Sequence, residues 1–193
     1  MDDDSGLVER LQAGDESAFV ELVRRYQVRL LHLAEATVGN RAVAEEVCQD
    51  TWLAVARGVE RFEGRSSFKT WLFRILVNRA RTSARREQRA GRPDDDLVER
   101  FDASGAWRTP PEPWSDRVDD RLVAGTLAQR VHALLPALPE HQRQVVTLRD
   151  VEGLAPVEVA TVLGITDGHQ RVLLHRGRAL LRDLLTVEMG SDR

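Results

Sequence analysis

The sequence predicts an all-α protein built from two helical domains joined by a linker. Apolar residues recur at steps of three and four along most of the chain, which is the pattern of helices with one buried face. No segment alternates apolar and polar residues over four or more positions with a β-branched bias, so strands are not expected. Between about residues 90 and 117 the chain becomes acidic and holds four of its seven prolines. We therefore predict a first domain at 1–92, an acidic, proline-rich linker at 93–121 and a second domain at 122–193.

The first domain is predicted to contain three helices. A periodic apolar run over 15–38 indicates the first, and the Gly39–Asn40 pair ends it. A second periodic run follows over 43–59. Residues 58–67 are predicted as a loop, after which Ser67 can cap a third helix. The apolar positions of that third helix are Phe68, Leu72, Ile75, Leu76 and Ala80.

The second domain is predicted to contain four helices, at 122–135, 141–150, 156–163 and 167–185. The last two have the spacing of a helix-turn-helix motif, in which the second helix enters the major groove of DNA. Ala160 is small where two helices would cross, and Gly164 supplies the turn.

On the last helix one polar stripe lies opposite leucines. Its members are Arg171, His175, Arg178 and Arg182, facing away from Leu173, Leu174, Leu181 and Leu184. A plain helical hairpin with a solvated arginine face is the simpler alternative for this segment.

Charge is distributed unevenly along the 193 residues. The formal net charge is −3, which by itself does not suggest a nucleic-acid binder. Residues 57–92, however, carry 11 Lys and Arg against 3 Glu, whereas residues 1–56 carry 5 Arg against 11 Asp and Glu. Such asymmetry between neighbouring segments indicates separate partner surfaces.

The basic segment mixes arginine with aromatic residues. One face of its helix carries Trp71, Arg74, Asn78, Arg81 and Arg85. Rings, an amide and guanidinium groups together can stack on single-stranded DNA, hydrogen-bond its bases and neutralise its backbone. The alternative is that the aromatics belong to the core and the arginines are merely solvated. We favour core positions for Phe68 and Phe73 and a nucleic-acid role for Trp71 and Asn78.

The preceding helix carries an acidic face formed by Glu45, Glu46, Gln49 and Asp50, with Leu53 beside them. A solvated helix face is the commoner meaning of such a run. Because this run precedes a strongly basic segment, we regard docking to a basic, helical partner surface as at least equally good an explanation.

The sequence gives little indication of an enzyme active site or a metal site. The five histidines lack the close spacing of zinc ligands, and the single cysteine, Cys48, has no second thiol. Phosphate-binding loops and nucleophile motifs do not occur in the sequence. We therefore predict no catalytic residues, no metal and no cofactor. The N-terminus lacks the features of a signal peptide, so we expect a cytosolic protein.

Two stretches of the chain resemble a known family. The segments AVAEEVCQDTWLAV and FEGRSSFKTWLFRILVNRAR resemble region 2 of extracytoplasmic-function (ECF) sigma factors, which belong to the sigma-70 family. The segment LPEHQRQVVTLRDVEGLAPVEVATVLGITDGHQRVLLHRGRALLRDLL resembles region 4 of the same family. The resemblance implies a subunit that binds core RNA polymerase, recognises a promoter and helps to open it.

The resemblance also implies roles for individual residues. The residues implied in binding and melting the −10 element are Phe62, Arg65, Ser66, Lys69, Trp71, Arg74, Asn78, Arg81 and Arg85. Those implied in reading the −35 duplex are His169, Arg171, Val172, His175, Arg176 and Arg178. Docking to core polymerase is implied for Glu45, Glu46, Gln49, Asp50 and Leu53. Family members are usually held inactive by an anti-sigma factor, often membrane-bound, so such a partner is expected.

Three features depart from the family or lie outside its motifs. Thr82 stands where family members often have Asp, and Gln170 replaces an apolar residue that usually packs inward. Either Gln170 finds a buried hydrogen-bond partner or its helix is rotated relative to the family. In the linker, Trp107 and Trp114 either belong to a disordered spacer or anchor the tether on a groove.

Two other functions stay open. One is a stand-alone helix-turn-helix regulator that acts without polymerase. The other is a helical enzyme or scaffold whose basic segment is only solvated surface.

Overall fold

The structure is a computed structural model that describes residues 4–88 and 130–191, with side chains over 4–84 and 130–187. These residues form helices and turns with no strand among them, which confirms the all-α prediction. The first half contains α1 (Ser5–Gln12), α2 (Glu16–Val38), α3 (Arg41–Gly58) and α4 (Phe68–Gln88). The second contains α5 (Glu140–Val146), α6 (Pro156–Leu163) and α7 (Asp167–Ser191). The predicted linker, including Trp107 and Trp114, lies outside the described residues.

The helix ends in the first half follow from local capping chemistry. Asp15 accepts a hydrogen bond from the backbone N–H of Ser17 at 2.9 Å and so caps α2. Gly39 ends α2 in the left-handed conformation, with φ of 70°. The Asn40 side chain then accepts from the backbone of α3 at 2.9 Å. Ser67 Oγ accepts from the Thr70 N–H at 3.1 Å, so Ser67 caps α4 as predicted.

The core of the first half lies where α2, α3 and α4 pack together. Tyr26 and Phe73 are fully buried there, and their rings meet edge to face with centroids 6.3 Å apart. Phe68 is also buried, at 4% exposure. The expectation that Phe68 and Phe73 belong to the core therefore agrees with the structure.

Helix α1 was not predicted. It is short, and it is held by two buried side chains and by the residue before its first turn. Leu7 and Val8 are buried against the bundle, while Asp4, just before the helix, accepts hydrogen bonds from Tyr26 and Arg25 on α2. A buried carboxylate with two donors compensates for the cost of its burial, which anchors the segment.

Several predicted boundaries need correction. The predicted loop at 58–67 begins with a 3-10 turn, Val59–Arg61. The helix predicted at 141–150 is α-helical only to Val146 and continues as one π-helical turn, Thr147–Val151. Of the helix predicted at 122–135, the structure describes 130–134 as helical, followed by a 3-10 turn from Leu135.

The helix-turn-helix geometry is present in α6 and α7. Gly164 adopts φ of 65° after α6, and the N–H of Ile165 bonds to the Ala160 carbonyl at 3.1 Å. Thr166 Oγ1 accepts from the His169 N–H at 3.2 Å and so caps α7. Gly177 allows α7 to approach α5 closely, because a Cβ there would lie 2.6 Å from Val146.

The two halves pack against each other, an arrangement that the sequence did not predict. α4 contacts α6, and α2 contacts α5, so that one apolar cluster contains residues from both halves. Arg143 donates to the backbone oxygen of Ala36 at 2.6 Å, and the rings of His32 and His132 are 4.3 Å apart. Burial and the neighbouring His132 lower the pKa of His32 below its ordinary value.

Candidate nucleic-acid and partner-binding interfaces

The acidic face of α3 is exposed along its full length. Its exposed residues are Glu45, Glu46, Gln49, Asp50 and Leu53. The opposite face buries Ala44, Val47, Cys48 and Thr51 in the core. Leu53, at 53% exposure, adds an accessible apolar side chain to this acidic face.

Two arginines lie against this acidic face without neutralising it. Arg41 bonds to Glu45 at 2.9 Å on the same helix. Arg79 on α4 lies 3.6 Å from Asp50. Both pairs are exposed to solvent and therefore contribute little to stability. The remaining carboxylate, Glu46, keeps the face acidic.

Aromatic residues form a cluster where the predicted −10 loop meets α4. The rings of Phe62 and Trp71 lie 4.9 Å apart, and those of Phe62 and Phe68 lie 6.1 Å apart. Phe62 and Trp71 are half-buried and pack on the core, whereas Phe68 is within it. Trp71 therefore combines a packing role with a partly accessible ring. In the same loop Ser66 is half-buried, and Arg65 is exposed and paired with Glu63.

The predicted −10 residues on α4 have unequal surroundings. Arg74 and Asn78 are exposed to solvent. Arg81 is half-buried and donates to the backbone oxygen of Leu163 at 2.7 Å. Lys69, with 17% of its side chain exposed, bonds to the backbone oxygen of Glu152. The side chain of Arg85 lies outside the described residues.

Glu152 was not identified from the sequence, yet it stands between the two halves. Its side chain is 2% exposed, with Arg29 Nε at 3.2 Å and Lys69 Nζ at 3.6 Å. Burial raises the pKa of the Glu152 carboxyl above its ordinary value, and the charges of Arg29 and Lys69 oppose that rise. No sequence pattern indicates this residue, because its partners Arg29 and Lys69 lie in the first half of the chain.

Glu158 is a second carboxylate that sequence reasoning missed. Its Oε2 accepts from the N–H of Ala155 at 2.9 Å, and its Oε1 accepts from Thr70 at 2.7 Å and from Ser67 at 3.2 Å. Burial acts to raise the pKa of Glu158, but hydrogen bonds from Ala155, Thr70 and Ser67 bring it below the ordinary value. The position of Glu158 at the start of α6 signals a helix cap but not a contact between domains.

The predicted −35 residues lie on α7. His169, Arg171, Val172 and His175 are exposed, and Arg176 is half-buried. Arg171 forms an ion pair with Asp167 one turn earlier. Arg178 donates two hydrogen bonds to Asp150, at 2.9 and 2.5 Å, so its guanidinium has a carboxylate partner in the free chain.

Gln170 points inward, which is what the resemblance implies for this position. It is 1% exposed, and its amide makes no hydrogen bond within the part of the chain that the structure describes. The buried partner that one of our alternatives required is therefore not found there. Leu173, also expected on the apolar side of the helix, is 8% exposed.

Neither a metal-ligand cluster nor a membrane-spanning helix occurs among the residues that the structure describes. No group of three or more His, Cys, Asp or Glu side chains within 4–88 and 130–191 is placed to hold a metal ion. Cys48 is buried, and burial raises the pKa of its thiol to about 12. Over the same ranges, no helix has the length and apolar character needed to cross a bilayer.

Two family models match the sequence. Sigma-70 region 2 matches residues 22–90, and Sigma-70, region 4 matches residues 128–181. The RNA polymerase sigma-H factor of Pseudomonas aeruginosa is 34% identical over 182 residues, which are 92% of this chain and 91% of that protein. The ECF RNA polymerase sigma-E factor of Escherichia coli is 33% identical over 178 residues, with 91% and 90% covered.

Two solved structures are similar to this chain in fold. CnrH, solved in complex with the cytosolic domain of CnrY, matches with a TM-score of 0.63 and 26% identity, covering 96% of this chain and 99% of CnrH. The sigma factor RpoE of Bartonella quintana, solved with the anti-sigma factor NepR, matches with a TM-score of 0.59. At 24% identity over 86% of this chain and 98% of RpoE, this second match supports the fold alone.

Proposed function

We propose that the two halves of this chain have different functions. The chain belongs to the extracytoplasmic-function group of sigma-70 family RNA polymerase sigma factors. The protein is an alternative sigma factor that binds core RNA polymerase and promoter DNA and directs transcription initiation. In the proposal, residues 1–92 dock on the polymerase and melt the −10 element, residues 122–193 read the −35 duplex, and 93–121 tether the two.

The exposed acidic face of α3 is the proposed polymerase-docking surface. Its carboxylates complement a basic partner, and the exposed Leu53 supplies apolar contact area at the same place. Charge complementarity of this kind speeds association and selects the partner, while burial of the leucine adds affinity.

The loop at 62–67 and the exposed edge of α4 are the proposed site for the separated −10 strand. Asn78 offers an amide for a base edge, and Arg74 offers a guanidinium for a phosphate, both in solvent. The Phe62–Trp71 pair supplies ring surface for stacking. Extruding a base costs a few kcal/mol, so a site that stacks the base and satisfies its edge converts binding into strand separation.

Helix α7 is the proposed −35 reader. Its exposed residues His169, Arg171, Val172 and His175 lie in the N-terminal part of the helix, where a recognition helix meets base edges. Arg176 and Arg178 follow further along, where phosphate contacts position the helix.

Regulation and chemistry follow the family. CnrH was solved in complex with the cytosolic domain of CnrY, and the sigma factor RpoE was co-crystallised with the anti-sigma factor NepR. From the second complex we infer an anti-sigma partner for this chain as well. The sigma-70 family consists of non-enzymatic initiation factors, and we assign this chain no catalytic residues of its own. Its proposed place of action is the bacterial cytoplasm, where polymerase and promoters meet.

One observation carries this proposal over a stand-alone regulator. The same helical bundle presents an exposed acidic face on α3 and an exposed Asn78–Arg74 edge on α4, in addition to a separate helix-turn-helix. A regulator that only reads duplex DNA has no use for the first two surfaces.

Run-off transcription tests the proposal. Purified chain and core polymerase are incubated with genomic fragments, and transcripts are compared with reactions that lack either protein. We expect discrete transcripts only when both are present. If the purified chain, free of any inhibitor, yields no transcript that depends on core polymerase, the proposal is wrong.

A further inference from the structure

Asp150 contacts one of the arginines proposed to read the −35 duplex. Its carboxylate accepts two hydrogen bonds from Arg178, one from Nε at 2.9 Å and one from Nη2 at 2.5 Å. Arg178 follows Arg171 by two helical turns on the polar stripe of α7, and 47% of its side chain is exposed. Arg178 therefore lies on the face of α7 that the proposed function assigns to DNA, and Asp150 meets it there from a different element.

The backbone that carries Asp150 is held by a hydrogen bond of its own. Asp150 belongs to the π-helical turn Thr147–Val151, which directly follows α5. The N–H of Glu152 bonds to the backbone oxygen of Thr147 at 2.8 Å and closes this turn. A π turn contains one residue more than an α turn, so it changes the direction in which its side chains point. The carboxylate that meets α7 is thus presented by a specialised turn with a fixed backbone.

The packing of α7 on α5 keeps Arg178 close to that turn. The residue before Arg178 is Gly177, and a Cβ there would lie 2.6 Å from Val146, which directly precedes the π turn. The two helices therefore approach each other most closely beside the ion pair. Both members of the pair stand on backbone that is in place before any DNA is bound.

The bonds to Asp150 leave most of the donors of Arg178 available. A guanidinium carries five N–H groups in a planar fork, and Asp150 takes one on Nε and one on Nη2. Of the remaining N–H groups, one from each Nη lie side by side on the outer edge of the fork. That edge matches two oxygens of a phosphate group. Orienting the fork in advance reduces the conformational entropy that a long side chain loses on binding.

We propose that Asp150 is a positioning residue for −35 recognition, which orients Arg178 so that the outer edge of its guanidinium binds a phosphate of the duplex. The inference rests on the proposed function, which assigns α7 to the −35 element. A carboxylate near DNA weakens binding by its charge alone, because it repels phosphates. Positioning acts in the opposite direction, so the sign of the effect separates the two roles. Removal of the Asp150 charge should weaken binding.

The first test compares two carboxylates of the second half in the full chain bound to core polymerase. Asp150→Asn removes the charge but nearly keeps the shape of the side chain, and Asp183→Asn makes the same change at an exposed position of α7. The probe is a labelled duplex that carries the −35 element of a promoter found by run-off transcription and ends before the −10 element. By anisotropy, Asp150→Asn should bind it about fivefold more weakly than Asp183→Asn.

Further readouts separate positioning from a purely structural role. Loss of one phosphate contact should flatten the salt dependence of Asp150→Asn by up to about 0.9 in slope, relative to Asp183→Asn. Asp150→Glu keeps the carboxylate and should retain the slope and most of the affinity. In a chain that already carries Arg178→Ala, Asp150→Asn should no longer weaken binding, because no guanidinium is left to orient. Asp150→Ser, which also removes the charge, replaces Asp150→Asn if that variant fails to fold.

Three results would overturn the inference. If Asp150→Asn binds the duplex as tightly as Asp183→Asn or more tightly, Asp150 does not assist Arg178. If it binds more weakly with an unchanged salt slope, or weakens binding even in the absence of Arg178, its role is structural. Run-off transcription separates these results from failure of the proposed function. A wrong positioning role leaves the core-dependent transcripts of the unchanged chain intact, whereas a wrong function leaves none.

Discussion

The arginines of α4 have different surroundings, and their surroundings determine which of them can contact DNA in the free chain. Arg74 and Arg81 are two helical turns apart, yet the first is in solvent and the second donates to Leu163. The helical periodicity places both on one face, which was predictable. The hydrogen bond that Arg81 donates was not predictable, because its acceptor lies 82 positions away in the chain.

Asn78 is the residue on which the strand-melting role depends most. Asn78→Ala should reduce transcription from a duplex promoter about tenfold more than from the same promoter opened beforehand by a mismatch, because the lost contact is to an extruded base. Its side chain is exposed, so the free energy of unfolding should change by no more than about 0.5 kcal/mol. Equal losses on the two templates in run-off transcription would make Asn78 a structural residue only.

Arg171 and Arg178 should differ in what their removal costs. Arg171→Ala should weaken −35 duplex binding and, where the lost contact is to a phosphate, flatten the salt dependence by about 0.9 in slope. Arg178→Ala should do the same and also destabilise the chain by up to about 1 kcal/mol, since it breaks the partly exposed double hydrogen bond to Asp150. Filter binding at several salt concentrations and urea unfolding measure both effects. If duplex affinity and its salt slope were unchanged in both variants, the arginine stripe would not contact DNA.

At the scale of the element, close contact between α5 and α7 depends on Gly177. An added Cβ would lie 2.6 Å from Val146 and 3.3 Å from the backbone oxygen of Gln142. Gly177→Ala should therefore lower the free energy of unfolding by about 1–3 kcal/mol, even though alanine favours helix.

Gly168 on the same helix is the matched control for that substitution. A Cβ there meets no atom within 4 Å, so Gly168→Ala should leave stability unchanged or raise it by up to about 1 kcal/mol. Urea unfolding of both variants checks the pair. Similar free energies of unfolding for the two variants would show that the helices accommodate a methyl group at Gly177 without loss of stability.

The acidic face of α3 makes a prediction about the partner. Asp50→Arg should weaken binding to core polymerase, because a charge of the wrong sign then faces a basic surface. The fold should be preserved, since Asp50 is exposed and its ion pair with Arg79 is a surface pair. Glu9→Arg, an exposed charge reversal on α1, is the control. Equal polymerase affinity for the two variants, measured by fluorescence anisotropy, would remove α3 from the docking surface.

The long helices were predictable from sequence because their apolar periodicity and their caps agree. Asp15 and Ser67 cap helices of 23 and 21 residues whose buried faces repeat many times. Helix α1 has only eight residues and repeats too few times for a periodic signal. Burial of Leu7 and Val8 holds it together with the hydrogen bond from Tyr26 to Asp4, a contact 22 positions apart that no local pattern encodes.

At the scale of the whole molecule, the two halves were predictable and their packing was not. Each half has its own apolar periodicity and charge, which the sequence displays directly. The contact between them combines one shared apolar cluster with polar contacts of Lys69, Glu152 and Glu158, three side chains without a shared motif. Polar contacts between distant segments produce no periodic pattern in the sequence, so they are seen only in the structure.

The most direct test of the account is permanganate footprinting at a promoter found by run-off transcription. The account predicts unpaired, reactive thymines over the −10 element only when chain and core polymerase are both present, with duplex protection at the −35 element upstream. Duplex protection by the chain without any thymine that becomes reactive in the presence of polymerase would contradict it. That result would identify a stand-alone helix-turn-helix regulator instead.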